Sequence, residues 1–143
     1  MSVFIRTMTA IAVIATAGAA SASVDRSPKP GGVYRLKPGI YVAKGSSCGN
    51  PANAALRTYD GKGLSDAHSR ACRVRVVSRR GNAFVVNQSC IGAGAGPAPR
   101  YTQRQIVTVQ NALEFTLRTK GPATSYRYCP VYQLPAGLRG SAR

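Results

Sequence analysis

Apolar and polar residues alternate with a period of two along much of this chain. The best-patterned stretch is residues 72–77, where Cys72, Val74 and Val76 fall on one face and Arg73 and Arg75 on the other. Residues 78–82 turn around Gly81. Residues 83–90 then continue the alternation, with Phe84, Val86 and Cys90 sharing a face. Two such runs about a Gly-bearing turn read as a β-hairpin. A second hairpin is expected over residues 104–110 and 112–119, turning at Gln110-Asn111. In its second arm Leu113, Phe115 and Leu117 oppose Glu114, Thr116 and Arg118.

Shorter strands fill in the rest. Residues 33–36 and 40–43 flank Lys37-Pro38-Gly39, where Pro presets φ and Gly supplies a positive φ, as a type II turn requires. Residues 55–59 form a strand ending at the turn signal Asp60-Gly61. Residues 62–70 read as a loop or one helical turn. Residues 91–100, with three Gly and two Pro, cannot form a central strand and read as a plain linker. A last strand covers residues 125–129. No segment sustains an apolar period of 3.6. Seven or eight short strands with regular turns predict an all-β fold, a small antiparallel meander barrel or a sandwich. One such domain is expected over residues 33–132, between a flexible lead, 23–32, and a flexible tail, 133–143.

The first residues change the compartment. Arg6 is the only charge in residues 1–7, an apolar run follows over residues 8–20, and the run ends at Ala20-Ser21-Ala22. That order predicts a signal peptide over residues 1–22, cleaved after Ala22. The run has thirteen residues, short of the roughly 20 that a spanning helix needs. The mature chain has no second apolar run of that length, so it is expected to be exported, to the periplasm or the medium, without a transmembrane segment. Four cysteines in such a chain imply two disulfides. Zinc is the competing use, but there is no Cys-x-x-Cys pair and a single His, so no metal is expected. Of three possible pairings, the first hairpin brings Cys72 opposite Cys90. Closing the meander brings the first and last strands together, and with them Cys48 and Cys129.

Charge narrows the partners. Removing residues 1–22 takes Arg6 from twenty cations and leaves a net charge of +15 against Asp25, Asp60, Asp66 and Glu114. Such a field favours polyanions. For an exported chain these are envelope polymers, anionic headgroups and extracellular nucleic acid. An acidic protein would be drawn in the same way, and the sequence sets no oligomeric state.

The outline Gly39-Ile40-Tyr41, a following Cys, Tyr59-Asp60-Gly61, the Cys72 to Cys90 hairpin and the ending Tyr126-Arg127-Tyr128-Cys129 resembles a group of small exported bacterial β-barrel proteins with paired cysteines, over residues 39–130. The resemblance implies fold and compartment and carries no catalytic residues. In architecture the chain is also similar to the periplasmic lysozyme-inhibitor barrels, whose inhibitory motif matches no positions here.

Candidate chemistry is sparse. His68 is the only His, the residue type most used for acid–base chemistry, and would have Asp66 or Glu114 as its partner, but in a polar stretch it reads as a solvated loop residue. Asp60 precedes Gly61, where Asp serves turn geometry. Glu114 sits on an alternating strand, where it would face solvent and pair with an Arg. No Gly-x-Ser-x-Gly elbow exists, and the Gly/Ala run at 92–96 lacks a phosphate loop's Lys-Ser/Thr ending. No enzyme activity and no cofactor is expected. The features with functional weight are Arg73, Arg75, Arg79 and Arg80, a candidate anion-binding ridge, with Tyr126 and Tyr128 as possible walls of a groove beside it. Arg suits phosphate and carboxylate because its planar fork donates two hydrogen bonds at once. Three readings follow. The first is a non-catalytic binding or envelope-associated domain. The second is a protein inhibitor, for which a cationic lysozyme would be a repelled target and an acidic enzyme would not. The third is a small secreted nuclease using His68, Glu114 and an Arg.

Overall fold

The structure, a computed structural model, describes residues 28–94 and 96–142. The expected signal peptide lies outside these residues. Eight strands form one antiparallel sheet: β1 (Gly39–Ala43), β2 (Leu56–Tyr59), β3 (Leu64–Ser65), β4 (Ser69–Arg80), β5 (Ala83–Gly92), β6 (Arg100–Asn111), β7 (Glu114–Arg118) and β8 (Thr124–Cys129). Their spatial order is β3-β2-β1-β8-β7-β6-β5-β4. The sheet curls into a nearly closed barrel. The first and last strands pair, with Ile40 opposite Cys129 and Ala43 opposite Tyr126.

The seam lies between β3 and β4, and a buried side chain from β5 bonds to β3 beside it. Gln88, buried on the inward face of β5, accepts the Leu64 N–H at 2.7 Å and donates to the Leu64 carbonyl at 2.8 Å. Its amide thus stands in for a backbone partner of β3. The Val74 N–H donates to the Lys62 carbonyl at 2.9 Å across the same seam. Gly63 fits because a Cβ there would come within 2.8 Å of the Cys72 backbone.

The alternation read from the sequence places the core. Phe84, Val86, Val107, Phe115, Leu117, Tyr126 and Tyr128 are buried in one cluster with Tyr41 and Tyr59. Aromatic rings pack edge-on or stacked within it, Tyr41 at 5.2 Å from Phe115 and Phe115 at 5.1 Å from Tyr126. Both disulfides are present: Cys72–Cys90 with Cα atoms 4.1 Å apart, and Cys48–Cys129 at 5.6 Å.

Several local expectations differ from the structure. Residues 33–36 are not a strand paired with β1. Gly31 bridges to Leu36, and the intervening turn drives Tyr34 and Leu36 into the core. Gly39 does carry a positive φ of 138°, but as the first residue of β1, where a Cβ would strike the Tyr128 ring at 2.8 Å. Residues 62–70 include β3 and the start of β4. Leu113 sits exposed in the β6–β7 turn rather than beside Phe115. The segment read as a polar tail from Gln133 instead forms short helical turns, with Leu134 and Ala142 buried against Ile40, Val42 and Leu56. The reason lies in β1. Tyr41 faces the barrel interior, Ile40 and Val42 face out, and the C-terminal segment covers them.

Two tyrosines in the core make opposite use of their hydroxyls. Tyr59 Oη accepts the Tyr34 N–H at 3.1 Å and donates to the Gly31 carbonyl at 2.9 Å. Tyr34 Oη is buried and has no hydrogen-bond partner among the described residues. A buried polar atom without a partner costs about 1–3 kcal/mol. Tyr34→Phe is therefore expected to leave stability unchanged or to raise it by up to about 1 kcal/mol, whereas Tyr59→Phe costs about 2 kcal/mol by orphaning two backbone groups. Chemical denaturation of the two variants checks the contrast.

Burial also sets a pH dependence. It raises the phenols of Tyr34, Tyr41 and Tyr59 above their ordinary value of 10.0, with neighbouring tyrosines adding to the effect at Tyr34 and Tyr41. The unfolded chain then releases these protons before the folded one does. The associated stability is fully present below about pH 10 and is lost as pH rises beyond it. A spectroscopic titration is expected to show part of the phenolate signal rising together with the loss of near-UV dichroism, not ahead of it.

Candidate anion-binding site

The register of the long hairpins determines which cations share a face. On β5, Phe84, Val86, Gln88 and Cys90 point inward, so Val85, Asn87, Ser89 and Ile91 point out. Arg73 stands opposite Ser89, and Arg75 opposite Asn87. One strand further, Ser89 meets Thr102 and Asn87 meets Arg104. Arg75, Asn87 and Arg104 thus form a row across three strands, with the outer two about 10 Å apart. Arg70, Ile91 and Arg100 form a parallel row. Arg118 on β7 lies opposite outward-facing Ile106.

The four arginines singled out from the sequence do not all belong to this face. A bulge between Val76 and Ser78 shifts the alternation of β4. Arg80, opposite Ala83, joins Arg73 and Arg75 outside. Arg79, opposite Phe84, turns to the other side. Its guanidinium lies 4.7 Å from the centre of the Phe84 ring, and its Nε donates to the Gly81 carbonyl. Arg79 caps the core. Arg100 is exposed but tied down, donating to the carbonyls of Ala71 and Ser89 and so bracing the first bulge of β4. The expected role of Tyr126 and Tyr128 as groove walls is not met. Both are buried in the barrel interior, on β8, four positions away from β4 in the sheet order.

The carboxylates lie away from β4, β5 and β6, although Glu114, at the start of β7, shares the outer face with Thr116 and Arg118. Asp60 accepts the N–H groups of Lys62 and Gly63, and Asp66 accepts the His68 N–H. Glu114 accepts from the Asn111 amide in the β6–β7 turn. No Asp or Glu occurs between Asp66 and Glu114, the span that holds β4, β5 and β6. His68 is an exposed loop residue held through its backbone, with its carbonyl accepting from Ala93. Glu114 is on β7, so the two do not form an acid–base set around a common space.

No family model, curated protein or solved structure matches this chain. Its own geometry therefore carries the functional argument. The sequence pattern did not join Arg104 and Arg118 to Arg75, because that relation appears only once β5 is paired with β6 and β6 with β7. The signal was present in the second hairpin, where Arg104 and Arg118 fall on the polar side of an alternating run.

Proposed function

We propose that the protein is an exported, non-catalytic domain that binds an anionic envelope polymer along the outer face of β4 to β7. The single observation that carries this reading is the row-by-row alignment of Arg70, Arg73, Arg75, Arg80, Arg104 and Arg118 on one face, three strands of which lack any carboxylate. A polyanion gains from each such cation by releasing its own counterions. Ser89, Thr102 and Asn87 between the arginines add hydrogen-bonding groups suited to oxyanions.

Part of this charge has a structural use. β4 is an edge of the sheet beyond the seam, and arginines with two bulges are what keep an exposed edge from pairing with another chain. That accounts for Arg73, Arg75 and Arg80. It does not account for Arg104 and Arg118, which lie inside the sheet order on β6 and β7, and these weigh most for binding.

Arg73→Ala/Arg75→Ala is expected to weaken binding of a long polyanion about tenfold at 0.1 M salt, and to reduce the slope of log affinity against log salt by roughly two. Fluorescence anisotropy with a labelled polymer at several salt concentrations reads both quantities. An unchanged affinity and slope would remove β4 from the site.

A further inference from the structure

We propose that a groove on the outer face of β6 and β7 holds one oxyanion group, phosphate or carboxylate, carried on a sugar or polyol unit of the polymer. This deepens the polymer-binding reading and rests on it.

The groove arises where strand pairing ends. The β6–β7 ladder begins at Ile106 opposite Arg118. Beyond that pair β7 departs through residues 119–123, turning at Gly121 with φ 73°, while β6 extends back to Arg100 paired with β5 alone. The space between is a cleft of about 330 Å³ lined by Arg104, Ile106, Arg118, Thr119 and Lys120. A second cleft, of about 260 Å³, shares Ile106, Arg118 and Gly121 and continues over Thr108, Thr116 and Pro122. Thr108 and Thr116 are directly opposed across the strands. The two clefts thus form one groove with Arg118 at the junction.

Its two ends differ in chemistry. Three cations gather at the first end, and among the described residues no carboxylate lines either cleft. An oxyanion there relieves their mutual repulsion and accepts the forked donors of Arg104 and Arg118. The second end offers two hydroxyls and a small apolar floor, a surface for the hydroxyl-bearing body of a sugar or polyol. Clefts of this size suit one such unit. Among the described residues the exposed aromatics are Tyr101 and Tyr132, and neither lines the groove. The groove therefore lacks the stacking platform that binds single-stranded nucleic acid, and the observations favour an anionic sugar or polyol polymer over RNA.

The test uses the oxidised mature protein and four short probes: inorganic phosphate, a glycerol phosphate trimer, a galacturonic acid trimer and an RNA trinucleotide. Amide chemical shifts are followed by NMR. At least one of the two organic trimers is expected to saturate, with the largest shifts at Arg104, Ile106, Thr116, Arg118 and Lys120, and to bind at least about fivefold more tightly than inorganic phosphate. The tighter trimer names the oxyanion. Arg104→Ala/Arg118→Ala is expected to lower that affinity about tenfold or more, against about twofold or less for Arg73→Ala/Arg75→Ala, which removes the same charge. Arg118→Lys, which keeps the charge and the fold but not the fork, is expected to lose part of the affinity. Equal losses from the two double variants, shifts centred on β4, no preference over inorganic phosphate, or tighter binding of the trinucleotide would each overturn the groove. If a long polymer binds and neither organic trimer does, the groove fails and the polymer reading survives. If the long polymer does not bind either, both fail.

Discussion

Replacing both cysteines of the longer bridge, Cys48→Ala/Cys129→Ala, is expected to destabilise the domain by about 4.5 kcal/mol, and to lower its melting temperature by on the order of 15 °C. The bridge spans 81 positions, against 18 for Cys72–Cys90, and in the chain-entropy view the longer loop constrains the unfolded ensemble more. The shorter bridge contributes about 3 kcal/mol on the same basis. The folded side points the same way. Cys48 and Cys129 are both buried in the cluster that joins β1 to the C-terminal segment, where Ile40, Val42, Leu134 and Ala142 meet. The Arg127 guanidinium also reaches the Ser46 carbonyl and the Cys48 sulfur, tying the loop to β8. Losing the bridge therefore releases the loop around Cys48 and loosens the cover over β1. Cys72 and Cys90 lie on adjacent paired strands, whose ladder persists without the bond. Thermal unfolding followed by circular dichroism compares the two double variants, and a larger loss from Cys72→Ala/Cys90→Ala would contradict this account.

Gln88→Leu is expected to cost about 3 kcal/mol, although Gln88 is a polar residue in an apolar barrel. Its amide is nearly fully buried, and both of its ends are used on one residue, Leu64. Leucine fills a similar volume but leaves a backbone donor and a backbone acceptor of β3 unpaired, each at about 1–3 kcal/mol. β3 has only two residues, and its ladder is to β2 alone. It holds little of its own against that loss, so the damage should concentrate at the seam. Hydrogen exchange is expected to quicken at the amides of Leu64 and Val74 well before those of β5 and β6. Unchanged protection at Leu64, with unchanged stability, would show that the seam closes without Gln88.

Much of this architecture was legible in the sequence, for an identifiable reason. Where one face of a strand is buried and the other wet, period-two alternation fixes both strand and facing. Residues 83–90 and 114–118 are of that kind, and from them came the hairpins, the inward rows and the pairing of Cys72 with Cys90. The second disulfide followed from closure. The parts that were not legible lack this one-sided burial. Residues 33–36 are as apolar as a strand, but Tyr34 and Leu36 enter the core from a turn. Ile40, Tyr41 and Val42 are all buried, so β1 needs a cover on its outer face as well as the barrel core on its inner one. The cover is Leu134 and Ala142, in a stretch whose small and polar residues disguise it. Tyr126 and Tyr128 alternate with Arg127, which half faces the loop around Cys48, so the same rule places both rings inside. The arginine face was only half visible. The β4 hairpin gave Arg73 and Arg75 their common side, but the bulge that removes Arg79 leaves no mark in composition. Arg104 and Arg118 joined the face through register that only the paired strands display.

Binding of a polyanion to the outer face through its charge is the central expectation. The most direct measurement is binding of the oxidised protein without residues 1–22 to a panel of envelope polyanions and RNA, with salt varied and cleavage monitored. We expect saturable binding to one envelope polymer, no cleavage, and an affinity that falls steeply and linearly with log salt as several phosphate or carboxylate contacts are screened. Weak binding to every member of the panel alike, or an affinity indifferent to salt, would contradict it and turn the search toward a protein partner.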